Sequence, residues 1–533
     1  MSDDKSSLRN IDKRFNFNRF IKRFYSLYTI DRLFVLILCY LFYSINVSVI
    51  PIGDDEGSFL YSAWRFSQGD LFPVEGLSNT PLAIYLVGIL FIIFGSNFII
   101  ARVFSVCMLS LSGLILYEIS RKLHFQRDER LLIIVLYCLN PILILFGSRF
   151  QPVVVALFFS MMAILLFLRG NVYFSGVFVS ISFFTMVTTG AVLFVLSIYL
   201  ILNKNSNVFT YKNIKKFYVG CASPFLLVFL FLLSNKELLS KIPVILFRVI
   251  FTHFRTEFIY SFNWRMTIIR TTFSNSSIYG SFGWERFFDP LLFMFNIVGL
   301  ISLFSLNDKI TEQRLKLLIP WILMGFLPTF ILPQTFEHYS LLTVPALSII
   351  SSYGIIKLFR IFRSSILTWK THSKFFYYIS IFLLLIFSGL TVSPLAINAF
   401  DWYHANGAVG GPEAFEFKPA QRTRILDIRK VGDFINSVTD ENDLILTGIP
   451  EIGFFSERVV VMPAIETTRT MISDIQIYNV SSVAIWMGPG GHRIRNYPDY
   501  YLLSEYLETN FFKHEMPLGL DYVLVYYSVD EVV

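Results

Sequence analysis

Long apolar runs separated by short polar segments make up most of the chain before residue 397. They lie near residues 33–52, 98–119, 131–147, 152–168, 172–188, 190–203, 217–234, 290–306, 317–333, 338–356 and 375–396. A helix of about 20 apolar residues crosses the hydrocarbon core of a bilayer, and most of these runs approach that length. The pattern therefore predicts an α-helical polytopic membrane protein with about 11 transmembrane helices.

Basic residues between the runs predict how the chain is oriented. Residues 1–32 are rich in Lys and Arg, which accumulate on the cytoplasmic side of membrane proteins. The run at 81–95 is short for a span, and we interpret it as a membrane-embedded or interfacial helix on the outer side. The basic loops 204–216, 309–316 and 357–374 then lie inside. This layout predicts a multi-pass protein of the cell (plasma) membrane, with a cytoplasmic N-terminus and an extracytoplasmic C-terminus.

The C-terminal tail has a mixed, more polar composition than the rest of the chain. Helices are predicted over 423–437 and 500–509, and short strands near 443–446, 459–462, 483–486 and 522–527. Strands that alternate with helices predict a small extracytoplasmic α/β domain. The chain therefore divides into a cytoplasmic N-terminus (1–32), a transmembrane domain (33–396) with outer loops at 53–97 and 235–289, and the α/β domain (397–533).

Composition agrees with a membrane protein and excludes several other classes. The chain is 54% hydrophobic and only 16% charged, and it contains 58 Phe. The net charge of +7 is spread among the loops, so it indicates topology rather than nucleic-acid binding. All four cysteines, Cys39, Cys107, Cys138 and Cys221, fall inside apolar runs without metal-ligand spacing. A disulfide framework or a zinc site is therefore not expected.

Three consecutive acidic residues, Asp54, Asp55 and Glu56, follow the first apolar run. In one interpretation they belong to a solvated loop that starts a helix, with Asp54 as its N-cap and the other two stabilised by the helix dipole. In the other, one of the carboxylates is a general base on the outer face of the membrane. Composition does not decide between the two.

The stretch around these acids resembles the first outer loop of the GT-C superfamily of polyprenyl-phosphate-dependent glycosyltransferases. The similarity is greatest to the branch of the protein O-mannosyltransferases and aminoarabinose transferases. Its ordered features are an Asp-Glu pair, a Gly-containing turn, a Pro-Leu start of an apolar helix, a Phe-Gly pair and an Ala-Arg pair. In this chain they are Asp55-Glu56, Gly69, Pro81-Leu82, Phe94-Gly95 and Ala101-Arg102.

This resemblance implies a GT-C catalytic domain that moves a sugar from a dolichyl or undecaprenyl phosphate carrier to a protein, lipid or glycan acceptor. Such transfer is inverting, with Asp55 as the general base and Asp54 and Glu56 as orienting or metal-binding neighbours. The lipid-linked sugar is then a co-substrate, and no cofactor is implied. Adjacent carboxylates can hold Mg²⁺ or Mn²⁺, but the resemblance does not favour a metal. The α/β domain is expected to help select the acceptor.

The chain departs from the family pattern at two places. Asn79-Thr80-Pro81 stands where many members have Lys-Pro-Pro, so a lysine that contacts phosphate is missing. The segment 148–152, Ser-Arg-Phe-Gln-Pro, has no acidic residue, although the corresponding loop often carries an Asp. The family roles of these two loops are therefore not carried over.

Donor phosphate contacts are expected from Arg255, Arg265 and Arg270 in the second outer loop and from His338 and Tyr339 before the tenth span. Arginine binds phosphate oxygens through several donors at once. The alternative is that these side chains anchor the protein at the lipid headgroups. Arg102 and Arg149 are further candidates, and Arg102 has the additional alternative of snorkelling to the membrane surface.

Two other functions compete with sugar transfer. A lipid or glycan transporter, or flippase, is expected to carry charges within its spans and related halves with broken helices. The sequence shows almost no charge inside the spans and no internal repeat. A membrane-anchored binding protein would place its function in the C-terminal tail, which shows no catalytic constellation. The expected partners are accordingly the bilayer, a polyprenyl-phosphate sugar and its acceptor, and not a nucleic acid.

Overall fold

A computed structural model describes the protein in several stretches. These are residues 30–44, 47, 54–70, 81–147, 149–202, 211–234, 266, 269, 285–304, 309–331, 337–367, 424–447, 450–461, 480–486, 500–518 and 521–527. The predicted span at 375–396 lies outside them, as does most of the predicted outer loop at 235–289.

Thirteen α-helices precede the C-terminal domain in the described residues. They are α1 (Ile30–Ser44), α2 (Asp54–Ser67), α3 (Pro81–Phe94), α4 (Phe98–Lys122), α5 (Arg127–Cys138), α6 (Pro141–Gly147), α7 (Pro152–Leu168), α8 (Val172–Thr185), α9 (Ala191–Leu202), α10 (Tyr211–Ser234), α11 (Glu285–Phe304), α12 (Lys309–Ile331) and α13 (Val344–Leu367). Two 3₁₀ helices lie at Val187–Gly190 and Glu337–Thr343. The apolar runs therefore form helices, as their length and composition predict.

Three described helices are long and apolar enough to cross a membrane, and their apolar stretches are Phe98–Lys122, Asn213–Leu230 and Ser340–Arg360. Shorter apolar helices include Pro152–Leu168 and Val172–Thr185. The count of about 11 spans stays a prediction. The run at 81–95 forms the helix α3, and its interfacial placement also stays a prediction.

The predicted span at 131–147 is not one continuous helix. The run at 131–147 forms two helices, α5 and α6, which are separated at Asn140-Pro141. Proline has no backbone N–H and its ring crowds the preceding turn, so it begins a new helix rather than continuing the old one. The Asn140 side chain accepts hydrogen bonds from the backbone N–H groups of Ile142 and Leu143, at 3.1 and 3.3 Å, and thereby caps α6.

Ion pairs join the helix ends that were predicted to lie on the cytoplasmic side. The Glu118 carboxylate, near the end of α4, pairs with Arg32 of α1 at 2.7 Å and with Arg121 at 2.6 Å. Arg169, which follows α7, also reaches Glu118, at 3.2 Å. One acid thus links three helices at the same end of the bundle. This is the arrangement that an alternating up-and-down path of these helices requires.

The C-terminal domain contains a five-stranded sheet and three described helices. Its elements are α14 (Arg424–Val438), β1 (Leu444–Thr447), α15 (Pro450–Ser456), β2 (Val459–Val461), β3 (Ser482–Trp486), α16 (Tyr500–Asn510), β4 (Phe512–Leu518) and β5 (Asp521–Tyr527). The strand order is β2-β1-β3-β5-β4. β1 pairs in parallel with β2 and β3, whereas β5 is antiparallel to β3 and β4. The predicted α/β class is confirmed, but β4 and α15 were not predicted.

The two faces of the sheet pack against different partners. Leu446 and Val483 share a core with Leu503 and Leu507 of α16. The adjacent positions Ile445 and Ala484 point to the other face, because side chains alternate along a strand. There they join a core that also contains residues of α2, α3 and α4: Leu60, Tyr61, Ala63, Trp64, Ala83, Ile84, Val87, Phe91 and Ala101. The C-terminal domain and the helices around α2 therefore share one hydrophobic core.

Candidate active site

The three acidic residues stand in the first turn of α2. This helix begins at Asp54, so Asp54 is its first helical residue rather than the N-cap that precedes it. The positive end of the helix dipole lies at this turn and stabilises negative charge there. Consecutive positions of an α-helix are about 100° apart around its axis, so positions 55 and 56 lie on different sides of it.

Glu56 is fully buried and forms a bidentate ion pair with Arg102, which is also fully buried. The Nε and Nη2 atoms of Arg102 donate to the two carboxylate oxygens at 2.8 and 2.7 Å. Two parallel charge-assisted hydrogen bonds of this kind fix the relative orientation of both side chains. The pair therefore joins the start of α2 to the start of α4.

Two backbone groups also bind the pair. The Nη1 atom of Arg102 donates to the carbonyl oxygen of Val47 at 2.7 Å. The backbone N–H of Phe150, just before α7, donates to Oε1 of Glu56 at 2.9 Å. The Phe98 ring also lies 5.2 Å from Cζ of Arg102. Four separate parts of the chain therefore converge on one buried carboxylate and one buried guanidinium.

The snorkelling interpretation of Arg102 was wrong. A snorkelling arginine extends its guanidinium to the membrane surface, whereas that of Arg102 is turned inward to Glu56. The physical reason is that a bidentate carboxylate and a backbone carbonyl replace the water that the guanidinium loses on burial.

The other half of α2 contacts the C-terminal domain. The Tyr61 hydroxyl accepts a hydrogen bond of 2.7 Å from the backbone N–H of Val460 in β2. Arg65 donates to the same hydroxyl at 3.3 Å and to the Asp70 carboxylate at 2.8 Å. Burial lowers the pKa of the Arg65 guanidinium, but Tyr61 and Asp70 outweigh this effect, and the pKa is raised. Arg65 therefore stays charged.

Ring contacts reinforce this junction. Phe91 of α3 lies 6.0 Å from Phe454, and Phe98 of α4 lies 6.4 Å from Phe455, both measured between ring centroids. Both partners belong to α15 of the C-terminal domain. The junction therefore extends over α2, α3 and α4.

The remaining predicted site residues are placed only in part. Arg255, Arg265 and Arg270 lie outside the described residues. His338 and Tyr339 lie in the second 3₁₀ helix, which packs against α6, α7, α12 and α13. Arg149 directly precedes Phe150, the residue that donates to Glu56. Among the described residues, no group of three or more His, Cys, Asp or Glu is arranged to hold a metal ion.

A family model described as "Predicted membrane protein (DUF2079)" matches residues 55–499. The chain belongs to this family. The matched region begins at Asp55 and includes most of the C-terminal domain. No curated protein matches the chain.

Two solved structures of ArnT have the same fold as this chain. ArnT from Cupriavidus metallidurans bound to undecaprenyl phosphate aligns with a TM-score of 0.58 and 12% identity, over 96% of this chain and 99% of that one. The same enzyme in its apo state aligns with a TM-score of 0.56 and 10% identity, over 95% and 98%. The resemblance to the GT-C superfamily is thus confirmed for the fold.

The oligosaccharyltransferase of Archaeoglobus fulgidus in its apo form gives a lower TM-score of 0.49. Its identity is 12%, and the alignment covers 92% of this chain and 74% of that chain.

Two features of the site were not predicted. The Glu56–Arg102 pair had a signal in the sequence, because an arginine at the start of an apolar helix requires a buried partner or a path to water. Asp70 and Glu75 are nearer to Arg102 in the sequence than Glu56 is, so this signal did not identify the partner. The Tyr61–Val460 hydrogen bond had no such signal, because its donor is a backbone N–H of a short strand far along the chain.

Proposed function

We propose that the protein transfers a sugar from a polyprenyl phosphate to an acceptor on the outer face of the membrane, with Asp55 as the general base. The fold supports this proposal, since ArnT has the same architecture and its structure contains undecaprenyl phosphate. The family description as a membrane protein supports the location. The acceptor is a hydroxyl or similar group on a protein, lipid or glycan.

In the proposed reaction, the acceptor oxygen attacks the anomeric carbon of the sugar directly. Asp55 takes the proton of the acceptor hydroxyl, and a new bond forms between the acceptor oxygen and the anomeric carbon. The bond from that carbon to the phosphate oxygen breaks, and its electron pair leaves with the polyprenyl phosphate. One direct displacement inverts the configuration and forms no glycosyl-enzyme.

The observation that carries this proposal is that Arg102 and the Phe150 backbone hold the Glu56 carboxylate in place. A general base must be held within hydrogen-bond reach of the proton that it removes. Arg102 and the Phe150 N–H immobilise Glu56, the residue next to Asp55, against α4 and α7. We therefore assign Glu56 the orienting role and Asp55 the base. Asp54 adds negative charge to the same helical turn.

The departing phosphate requires positive charge and hydrogen-bond donors. We propose that Arg255, Arg265 and Arg270 supply the charge and that His338 and Tyr339 supply further donors. In this scheme residues 33–396 form the catalytic domain and residues 397–533 form the acceptor side. The shared core between α2 and the C-terminal domain supports a site between the two.

The proposal is tested with purified protein, acceptor membranes and a panel of radiolabelled polyprenyl-phosphate sugars. Asp55→Asn is compared with Asp433→Asn, which changes an exposed carboxylate on α14. We expect full labelled product from the wild type and from Asp433→Asn, and only a small residual amount from Asp55→Asn. Wild-type transfer by Asp55→Asn excludes Asp55 as the base. Uptake of labelled donor into proteoliposomes, with no product from any donor, supports a transporter instead.

A further inference from the structure

The helix α2, which carries Asp55, is attached at two points to two different parts of the molecule. Near its start, Glu56 binds Arg102 of α4. Five residues later, Tyr61 binds Val460 of the C-terminal domain. The second attachment lies about 9 Å along the helix axis from position 55, at 1.5 Å per residue. A rigid helix transmits displacement over such a distance.

The hydrogen bond between Tyr61 and Val460 is buried and pairs a backbone N–H at one edge of the sheet. Only 2% of Tyr61 and 6% of Val460 are exposed. β2 is an edge strand in the described sheet, and its neighbour in the strand order is β1. An edge strand leaves backbone groups without a ladder partner, and another element has to cover them. At Val460 the hydrogen-bond partner is the Tyr61 hydroxyl, from the helix that carries Asp55.

The packing around Tyr61 leaves little room for this helix to shift. A methyl group added to Gly453 of α15 would lie 2.9 Å from Cε2 of the Tyr61 ring. The ring also contacts Trp64, at 5.6 Å between centroids. Glycine at 453 therefore lets α15 approach the tyrosine ring closely. If β2 or α15 of the C-terminal domain moved, it would push against α2 at Tyr61.

We propose that Tyr61 is a positioning residue through which the C-terminal domain holds the helix of Asp55 in its active orientation. This inference rests on the proposed function. It assigns the C-terminal domain a role in the chemical step, in addition to any contact with the acceptor. Loss of the hydroxyl then lowers the rate of sugar transfer and leaves donor binding unchanged, because the proposed phosphate ligands lie elsewhere in the chain.

Two substitutions cut the same hydrogen bond from opposite sides. Tyr61→Phe removes the acceptor oxygen, and Val460→Pro removes the donor N–H at an edge position, where proline is tolerated in a sheet. Tyr43→Phe is the matched control. The Tyr43 hydroxyl is also buried and also binds a backbone group, the Tyr137 carbonyl at 3.1 Å, but within the helical bundle.

The first measurement is hydrogen exchange of the α2 amides in the purified full-length protein, which requires no substrate. We expect faster exchange over residues 54–60 in Tyr61→Phe and in Val460→Pro, and wild-type exchange there in Tyr43→Phe. Wild-type exchange over these residues in Tyr61→Phe overturns the proposal, whatever the enzymatic activity. If the exchange effect is present but no labelled donor yields product, only the proposed function fails.

The second measurement is steady-state kinetics with the labelled polyprenyl-phosphate sugar that the panel identifies. We expect kcat to fall about tenfold in Tyr61→Phe, which corresponds to about 1.4 kcal/mol, with an unchanged KM for the donor. The double variant should lose no more than Tyr61→Phe alone, because Tyr61→Phe already removes the bond to Val460 together with the longer one to Arg65. A wild-type kcat in Tyr61→Phe, or additive losses in the double variant, overturns the proposal.

Discussion

Arg102 and Glu56 are 46 positions apart in the chain and form a fully buried, bidentate ion pair. The pair lies where α2 and α4 meet, and the backbone groups of Phe150 and Val47 form further hydrogen bonds with it. Each charged group is the other's bidentate partner in a site without solvent exposure. Because Asp55 is adjacent to Glu56 in the chain, the pair affects both the stability of the fold and the orientation of Asp55.

Removal of one partner of the pair should destabilise the protein strongly. Arg102→Met leaves the Glu56 carboxylate buried without its guanidinium, which typically costs about 3–5 kcal/mol. Thermal unfolding in detergent should show a clearly lower Tm. In the double variant Glu56→Leu/Arg102→Met both charges are absent, and part of the stability should return without sugar transfer. A wild-type Tm in Arg102→Met would contradict the structure of this pair.

Lysine should not replace Arg102. A lysine ammonium is a single point charge and cannot bind both carboxylate oxygens and the Val47 carbonyl in the planar geometry of a guanidinium. A displacement of about 1 Å at the reacting groups can lower the rate about 10²-fold. We expect a loss of this order in kcat for Arg102→Lys in protein that remains folded by size-exclusion chromatography. A folded variant with wild-type kcat would show that the pair has no orienting role.

The proposed base predicts a pH dependence of transfer. A protonated carboxyl cannot accept the acceptor proton, so the wild-type rate should fall as the pH is lowered through the pKa of Asp55. The residual rate of Asp55→Asn should lack this acid limb, whereas Asp433→Asn should keep it. The measurement is the initial rate of labelled-sugar transfer across the pH range. An unchanged acid limb in Asp55→Asn would assign the titration to another group.

Glu118 should matter far more than any one of its arginines. Its side chain is only 7% exposed and accepts hydrogen bonds from Arg32, Arg121 and Arg169. Glu118→Gln removes the charge that these three arginines share, and we expect a loss of roughly 2–3 kcal/mol, which is up to about 1 kcal/mol for each pair. Arg121→Met, which changes a side chain that is 46% exposed, should cost at most about 1 kcal/mol. Equal effects of the two variants on the Tm would refute this difference.

The Asp31–Arg127 pair predicts a pH-dependent contribution to stability. Hydrogen bonds from Arg127, at 2.9 and 2.6 Å, lower the pKa of the Asp31 carboxyl against an opposing effect of burial. A lowered pKa stabilises the folded state above the pKa of the unfolded chain, about 4, and this gain is lost as the pH falls through the lowered value. The Tm difference between wild type and Asp31→Asn should therefore be present at pH 7 and shrink below pH 4. A constant difference would contradict this assignment.

Some elements could be predicted because their signals are local. The helix over Arg424–Val438 and the strands at Leu444–Thr447, Val459–Val461 and Asp521–Tyr527 lie close to where alternation and residue type place them. The break at Asn140-Pro141 was missed although its signal is also local, since the apolar run continues through the proline. Composition alone therefore overestimated the continuity of this segment.

By itself, the sequence determined that the chain forms many apolar helices, that its tail is an α/β domain, and that an acidic turn follows the first run. Helix length, apolar periodicity and residue order suffice for these conclusions, because they depend on neighbouring residues. Only the tertiary structure decided that Glu56 pairs with Arg102 and that Tyr61 binds Val460. Such contacts join residues up to 399 positions apart. They depend on how helices and domains pack, which no short stretch of sequence specifies.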